Sequence, residues 1–349
     1  MITPFSENQD LTYVVRCHSI TCLSQLEDAL VSIAGQQYAH IQAFIAVQDL
    51  KPEEFSLVLA LAAEVKATTG LQTRAENISF DSKGDHRGAL LNRAFELIES
   101  RYVAVLDYDD VVYPNHASTL VADLQADESG NIVGSFCGCT KAMYDRLDNG
   151  SIHITKKIDY YVGGSVGKCL IENCFPIHSY VLDRARIQNM PKFWEERSVF
   201  EDYWFLIHLF QNYQVSTRLS GKCLCEYRQC NSGGNTALPT MKHAEAYPEQ
   251  LAKWGEAGAL ISDLKKSSAF KVSYEEILRT NYPQSYLSAL ATPPRIQSLV
   301  VYHFYKYIMR KLGNEAAKEF VTSPAPFVAK MPREHSTALI RRAFRIPKS

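Results

Sequence analysis

The chain has 349 residues, 46% hydrophobic and 21% charged, with a formal net charge of -1. That length supports one large or two ordinary domains with a well-buried core, and the near-neutral balance excludes a global basic field for gripping nucleic acid. No apolar run approaches the ~20 residues of a membrane span. The stretch from Met1 to Asp10 is too polar and acidic for a signal peptide, so a cytoplasmic protein is expected.

The first third alternates strand and helix. Leu11 to Arg16 reads as a strand, followed by a helix carrying Leu23, Leu26, Leu30 and Ile33 on one face. Ser24-Gln25-Leu26-Glu27 has the spacing of a capping box at its start. Ala43 to Val47 is a second apolar strand. Pro52 to Lys66 is helical and stops near Gly70. A weaker strand lies within Leu71 to Phe80, and Leu90, Leu91, Ala94, Phe95 and Ile98 mark another amphipathic helix. Tyr102 to Leu106 is short and wholly apolar, as expected at the centre of a parallel sheet. This order predicts an α/β, doubly wound sheet with right-handed crossovers.

Beyond Asp110 the pattern loosens. Pro114 to Gln125 reads as helix and Ile132 to Phe136 as strand. Lys141 to Lys168 is polar with several glycines and reads as loop or edge hairpin. Tyr203 to Tyr213 reads as helix, then Val215 to Leu219 and Cys223 to Tyr227 as strands. From about Thr240 the chain is expected to be mainly helical. The expected division is therefore an α/β domain over 1–238 and a mainly helical region over 239–349.

The nine cysteines are scattered and odd in number, which fits reduced thiols better than a disulfide framework. Cys137/Cys139 and Cys223/Cys225 are Cys-x-Cys pairs, narrower than the usual Cys-x2-Cys zinc spacing. On a strand each pair points to one face and reads as two small hydrophobes side by side.

Asp107, Asp109 and Asp110 follow the apolar strand directly. Ligands of open α/β sheets bind beyond the carboxyl ends of the strands. Carboxylates this dense repel one another unless a cation or donors compensate. Hard oxygen ligands suit Mg2+ or Mn2+, which can bridge a diphosphate. A solvated acidic turn is the plainer alternative.

The run from Gly84-Asp85-His86-Arg87 through Leu91-Asn92 to Leu106-Asp107-Tyr108-Asp109-Asp110 resembles family 2 of the inverting glycosyltransferases. Phe175-Pro176-Ile177-His178-Ser179, Phe200-Glu201-Asp202-Tyr203-Trp204, and Tyr227-Arg228 with Gly233-Gly234-Asn235 resemble the family's later segments. The likeness covers about residues 10–236. It implies a GT-A fold, a Rossmann-like mixed sheet flanked by helices, and a hexosyltransferase-type activity. The donor implied is a nucleotide-diphosphate sugar, UDP-linked by default, and the acceptor a hydroxyl of a glycan or lipid-linked glycan in surface polysaccharide synthesis.

Carried over by position, Asp109 would bind the metal, with Asp107 on the metal or the ribose and Asp110 assisting. His18, Asp49, Arg87 and Asn92 would lie on the nucleotide side, and Arg228 would offset charge on the diphosphate. Asp202 would be the general base that takes the acceptor's proton. The sequence departs from the family's pattern at Arg16-Cys17-His18-Ser19 and at Val47-Gln48-Asp49-Leu50. His178 reads as an acceptor contact or a structural residue, and Trp194 and Trp204 as sugar platforms or core.

Two rivals remain at this stage. Leu106-Asp107-Tyr108-Asp109-Asp110-Val111 also resembles the Asp-x-Asp-x-Val motif of haloacid-dehalogenase-like phosphatases, with Asp107 as nucleophile. A non-catalytic GT-A-like binding module is the other. The basic amphipathic stretch from His335 to Ser349 is a possible peripheral contact with an anionic membrane surface.

Overall fold

A strand buried on both faces needs apolar residues along its whole length. Three of the first four strands come close to that condition. β1 (Leu11–Cys17) is buried throughout, β2 (Ile41–Gln48) along all but its last residue, and β4 (Tyr102–Asp107) likewise. β1 lies between β2 and β4, parallel to both, and β3 (Gln72–Ile78) adds a half-buried parallel edge beside β2. The helices α1 (Leu23–Ala34), α2 (Pro52–Thr69) and α3 (Arg87–Leu97) make the crossovers. Gly70 ends α2 in the left-handed region at φ 80°, where its N–H caps the Lys66 carbonyl.

The computed structural model describes residues 10–147, 151–169, 172–231 and 248–267. The chain divides into two units, Met1–Ile261 and Ser262–Ser349; of the second, only residues 262–267 are described. The expected boundary at 238/239, the Gly233-Gly234-Asn235 segment and the basic stretch from His335 onward lie outside the described residues. So does most of the expected helical C-terminal region; α7 (Pro248–Ser267) is the described part of it. Among the described residues no helix is long and apolar enough to cross a membrane.

The doubly wound parallel pattern holds only for the first half, and the sheet as a whole is mixed. Its order is β3-β2-β1-β4, then β8 (Tyr180–Asp183), β6 (Ile132–Arg146), β9 (Gln214–Cys230) and β5 (Val111–Val112), with β7 (Ile152–Tyr161) paired to β6 off that path. β8 is antiparallel to both β4 and β6. β6 runs parallel to β9, and the short β5 closes the far edge. The polar stretch after Lys141 forms the edge hairpin of β6 with β7, then the short α5 (Val166–Cys169). α4 (His116–Gln125) and α6 (Glu201–Asn212) fall where the apolar spacing put them.

Two local readings are corrected. Ser24 lies inside α1, so the capping box expected there is absent; Ser19 instead caps the 3-10 turn before the helix through Thr21 N–H. The two strands expected around Ser220-Gly221-Lys222 are one strand, because pairing with β6 continues through register shifts.

α3 is pressed onto the segment that leads to α6. Gly88 leaves room for it: a Cβ there would lie 2.0 Å from the Trp194 carbonyl oxygen. Asn92, one turn on, donates to Phe193 O at 3.0 Å and Glu195 Oε1 at 2.7 Å, and accepts from Phe193 N–H at 2.8 Å. Gly88→Ala is therefore expected to lower stability by about 1–3 kcal/mol or more in urea unfolding, since backbone cannot yield as a side chain can. Gly221→Ala, where a Cβ meets nothing within 4 Å, is the matched control and should unfold close to wild type.

Candidate active site

The parallel register sets Arg16 beside Asp107 at the carboxyl ends of β1 and β4. Arg16 is only 9% exposed, and a charge so placed must be paired. Its Nε and Nη2 donate to the two Asp107 oxygens at 2.8 Å each, the planar bidentate geometry that guanidinium favours. Its Nη1 donates to Glu201 Oε1 at 2.9 Å. Burial opposes the Arg16 charge, but Asp107 and Glu201 outweigh it and hold the group above its ordinary value. Burial likewise opposes the Asp107 charge, and Arg16 more than cancels this, keeping Asp107 below the usual carboxylate range.

Glu201 opens α6. Phe200 just before it sits at φ 62°, rare for a large side chain, with its ring against Trp254 of α7. This turn presents Glu201 to Arg16 and sets Asp202 next to it. Asp202 accepts from its own helix at Tyr203 N–H (2.7 Å) and from Asn173 Nδ2 (2.9 Å). Burial, and then the neighbouring Glu201 charge, push the Asp202 carboxyl up to about 7.

Asp107, Asp109 and Asp110 each bring one carboxylate oxygen within 4.8 Å of the others. Their partners differ. Asp110 is buried, with Oδ1 accepting from Arg228 N–H at 2.7 Å and Oδ2 lying 3.1 Å from His178 Nδ1. Burial and then Asp110 and Asp107 push Asp109 well above the ordinary carboxylate value. The Asp109 carboxylate, with one oxygen each of Asp107 and Asp110 within 4.8 Å, is a fitting hard-oxygen donor for Mg2+ or Mn2+.

Beside this cluster is a cavity of about 270 Å³ lined by Arg16, His18, Gln48, Gly84, Asp85, Arg87 and Leu90. Arg87 is the first residue of α3. Its guanidinium is clamped by Asp85, with Nε 2.9 Å from Oδ1, and its Nη1 lies 3.8 Å from Glu201 Oε1. His18 packs edge-on against Tyr108 at 5.3 Å.

Of the residues expected from sequence, His18 and Arg87 line the cavity, and Asp107, Asp109 and Asp110 gather at the strand end. Others are placed differently. Asp49, at φ 51°, is outside the cavity lining and accepts from Phe80 N–H at 2.9 Å; its neighbour Gln48 faces the cavity. Asn92 directs its amide nitrogen at Phe193 O and Glu195 Oε1, clamping the segment that leads to α6. Arg228 pairs with Asp28 at 2.8 Å and Glu226 at 3.2 Å, and it is its backbone N–H that touches the acidic cluster. Asp110 has both oxygens turned inward and acts beneath the cluster. Trp194 and Trp204 stack on each other with centroids 4.4 Å apart, and Trp194 is buried. Arg16 enters the sequence pattern only as a departure from a motif; the available signal is a lone cation near the end of a mostly apolar strand.

No protein-family model matches the sequence, and no curated protein does. Solved structures do match. TarS of S. aureus aligns with a TM-score of 0.50 at 12% identity over 86% of this chain and 47% of that one, so the chain spans about half the length of that protein. The fold is a glycosyltransferase fold. TarS 1-349 in complex with UDP-GlcNAc aligns with a TM-score of 0.49 at 12% identity, covering 89% of this chain and 87% of that one. A mannosyltransferase from Pyrobaculum calidifontis, in complex with GDP-Man and Mn2+, gives a TM-score of 0.47 at 15% identity, covering 97% and 86%.

The phosphatase alternative fits poorly with this geometry. A nucleophilic Asp107 needs an unencumbered oxygen, and both of its oxygens accept from Arg16. Arg16→Ala would take the guanidinium from Asp107 and leave Glu201 only the 3.8 Å contact with Arg87 in a buried setting. The expected cost is about 3–5 kcal/mol, read as a fall in the urea midpoint. Arg16→Lys keeps the charge but loses the three-way fork, and should recover only part of that loss.

Proposed function

We propose that the chain is an inverting glycosyltransferase that moves a sugar from a nucleotide-diphosphate donor, UDP-linked by default, to a glycan or lipid-linked hydroxyl. The observation that carries this reading is the Arg16 bridge. One buried guanidinium ties Asp107 of the acidic cluster to Glu201, whose neighbour Asp202 has the properties of a base poised near neutral pH. The glycosyltransferase fold supports the same conclusion.

In this reading Asp109 would hold a divalent cation, with Asp107 beside it, and the cation would offset charge on the diphosphate. Arg87 and His18 face the nucleotide from the cavity wall. Asp202 accepts the acceptor's hydroxyl proton as that oxygen bonds to the sugar's anomeric carbon. The bond from that carbon to the diphosphate breaks on the opposite face, and the nucleoside diphosphate leaves with the electron pair, inverting the centre. Arg16 positions: it fixes the two carboxylates on which the donor and acceptor sides rest.

Thermal stabilisation by a panel of nucleoside diphosphates tests the donor side. Protection by at least one diphosphate, dependent on Mn2+ and abolished by Asp109→Ala, is expected; flat responses throughout would sink the proposal.

The acceptor side makes a pH prediction. A general base works deprotonated, so kcat/KM should rise with pH and level off above an inflection near 7, where the Asp202 carboxyl loses its proton. Asp202→Asn should cost about 10²–10⁴-fold in kcat and remove that inflection while leaving diphosphate binding intact.

A further inference from the structure

Beneath the acidic cluster lies a second set of ligand-type side chains, drawn from three separate elements. Cys139 of β6 and Cys225 of β9 are register partners on adjacent parallel strands. His178 comes from the Pro176–Ser179 turn, which the Ser179 N–H and hydroxyl close onto the Pro176 carbonyl. All three side chains are buried, at 0%, 0% and 1% exposure, and one ligand atom from each lies within 4.8 Å of the others. We propose that Cys139, His178 and Cys225 hold a structural zinc ion, a site separate from the acidic cluster and independent of the transferase reading.

The geometry is close to what such an ion requires. Bonds of about 2.3 Å to sulfur and about 2.1 Å to nitrogen place tetrahedral ligand atoms about 3.6–3.8 Å apart. Cys139 Sγ and His178 Nε2 are already 3.4 Å apart. The histidine also has the expected outer partner. A ligating imidazole directs its other ring nitrogen at a carboxylate or carbonyl, which fixes its tautomer. His178 Nδ1 lies 3.1 Å from Asp110 Oδ2, and His116 Nε2 holds the His178 backbone carbonyl at 3.1 Å. Cys137, on the same face of β6, is the candidate for the fourth position; its thiol now donates to Ser179 O at 3.2 Å.

Charge and softness agree with zinc. Binding expels the thiol protons to solvent; the Cys139 and Cys225 thiolates with a neutral imidazole cancel the 2+ charge, and Cys137 in the fourth position adds one negative charge. Thiolate and imidazole prefer zinc, whereas the oxygen-only cluster above prefers Mg2+ or Mn2+. The sequence concealed the site, because only the tertiary fold brings His178 and Cys225 beside the β6 cysteines.

The test is the metal content of the full chain, produced with zinc and dialysed before elemental analysis. About one zinc per chain is expected, lost in Cys225→Ala and retained in Cys223→Ala. Cobalt substitution of the unmutated chain gives a readout that needs no variant to fold. A thiolate-to-cobalt charge-transfer band, persisting in Asp109→Ala, is expected. A chain that takes up no zinc, full zinc in Cys225→Ala, or a cobalt spectrum without that band would each overturn the proposal.

Discussion

A guanidinium at the end of a buried strand must bring its counter-charges with it, and much of this site follows from how Arg16 does so. Its three donor positions are used on Asp107 and Glu201, which come from the first half of the sheet and from the start of α6. Desolvating this triad costs free energy that pairing only partly returns. What it secures is position: the carboxyl end of β4 and the N-terminus of α6 cannot shift independently without stranding a charge. Asp202 is adjacent to a residue locked by that bridge, and Asp109 lies two residues from the other.

The carboxylates around it then differ by environment. Asp107 is held ionised by Arg16, whereas Asp109 and Asp202 are pushed up by burial and by neighbouring charge. Environment alone thus gives neighbouring acids opposite protonation tendencies. Asp110 faces the other way, toward the Arg228 backbone and the His178 ring, and joins the acidic cluster to the thiol-lined core below.

Much of the fold was legible because the parallel half obeys simple periodicities. Tyr102 to Leu106 announced a buried central strand, and the carboxylates directly after it announced a strand-end site. The Arg16 bridge was not legible, since its partners lie 91 and 185 residues away in sequence. Asn92 and Arg228 occupied motif positions, yet Asn92 serves the 193–195 segment and Arg228 pairs with Asp28 and Glu226. Local pattern identifies a polar group but not which of its possible partners the tertiary fold brings near. The same limit hid the pairing of Cys139 with Cys225, which only the parallel register of β6 and β9 creates.

The central claim is that donor binding and acceptor activation are separate tasks built on one charge bridge. The most direct measurement is nucleoside diphosphate release from a panel of nucleotide sugars supplied with glycan acceptors and Mn2+. The account predicts metal-dependent release from at least one donor, beyond that donor's release without enzyme. Absence of release from every donor, together with phosphate liberation from sugar phosphates, would contradict it.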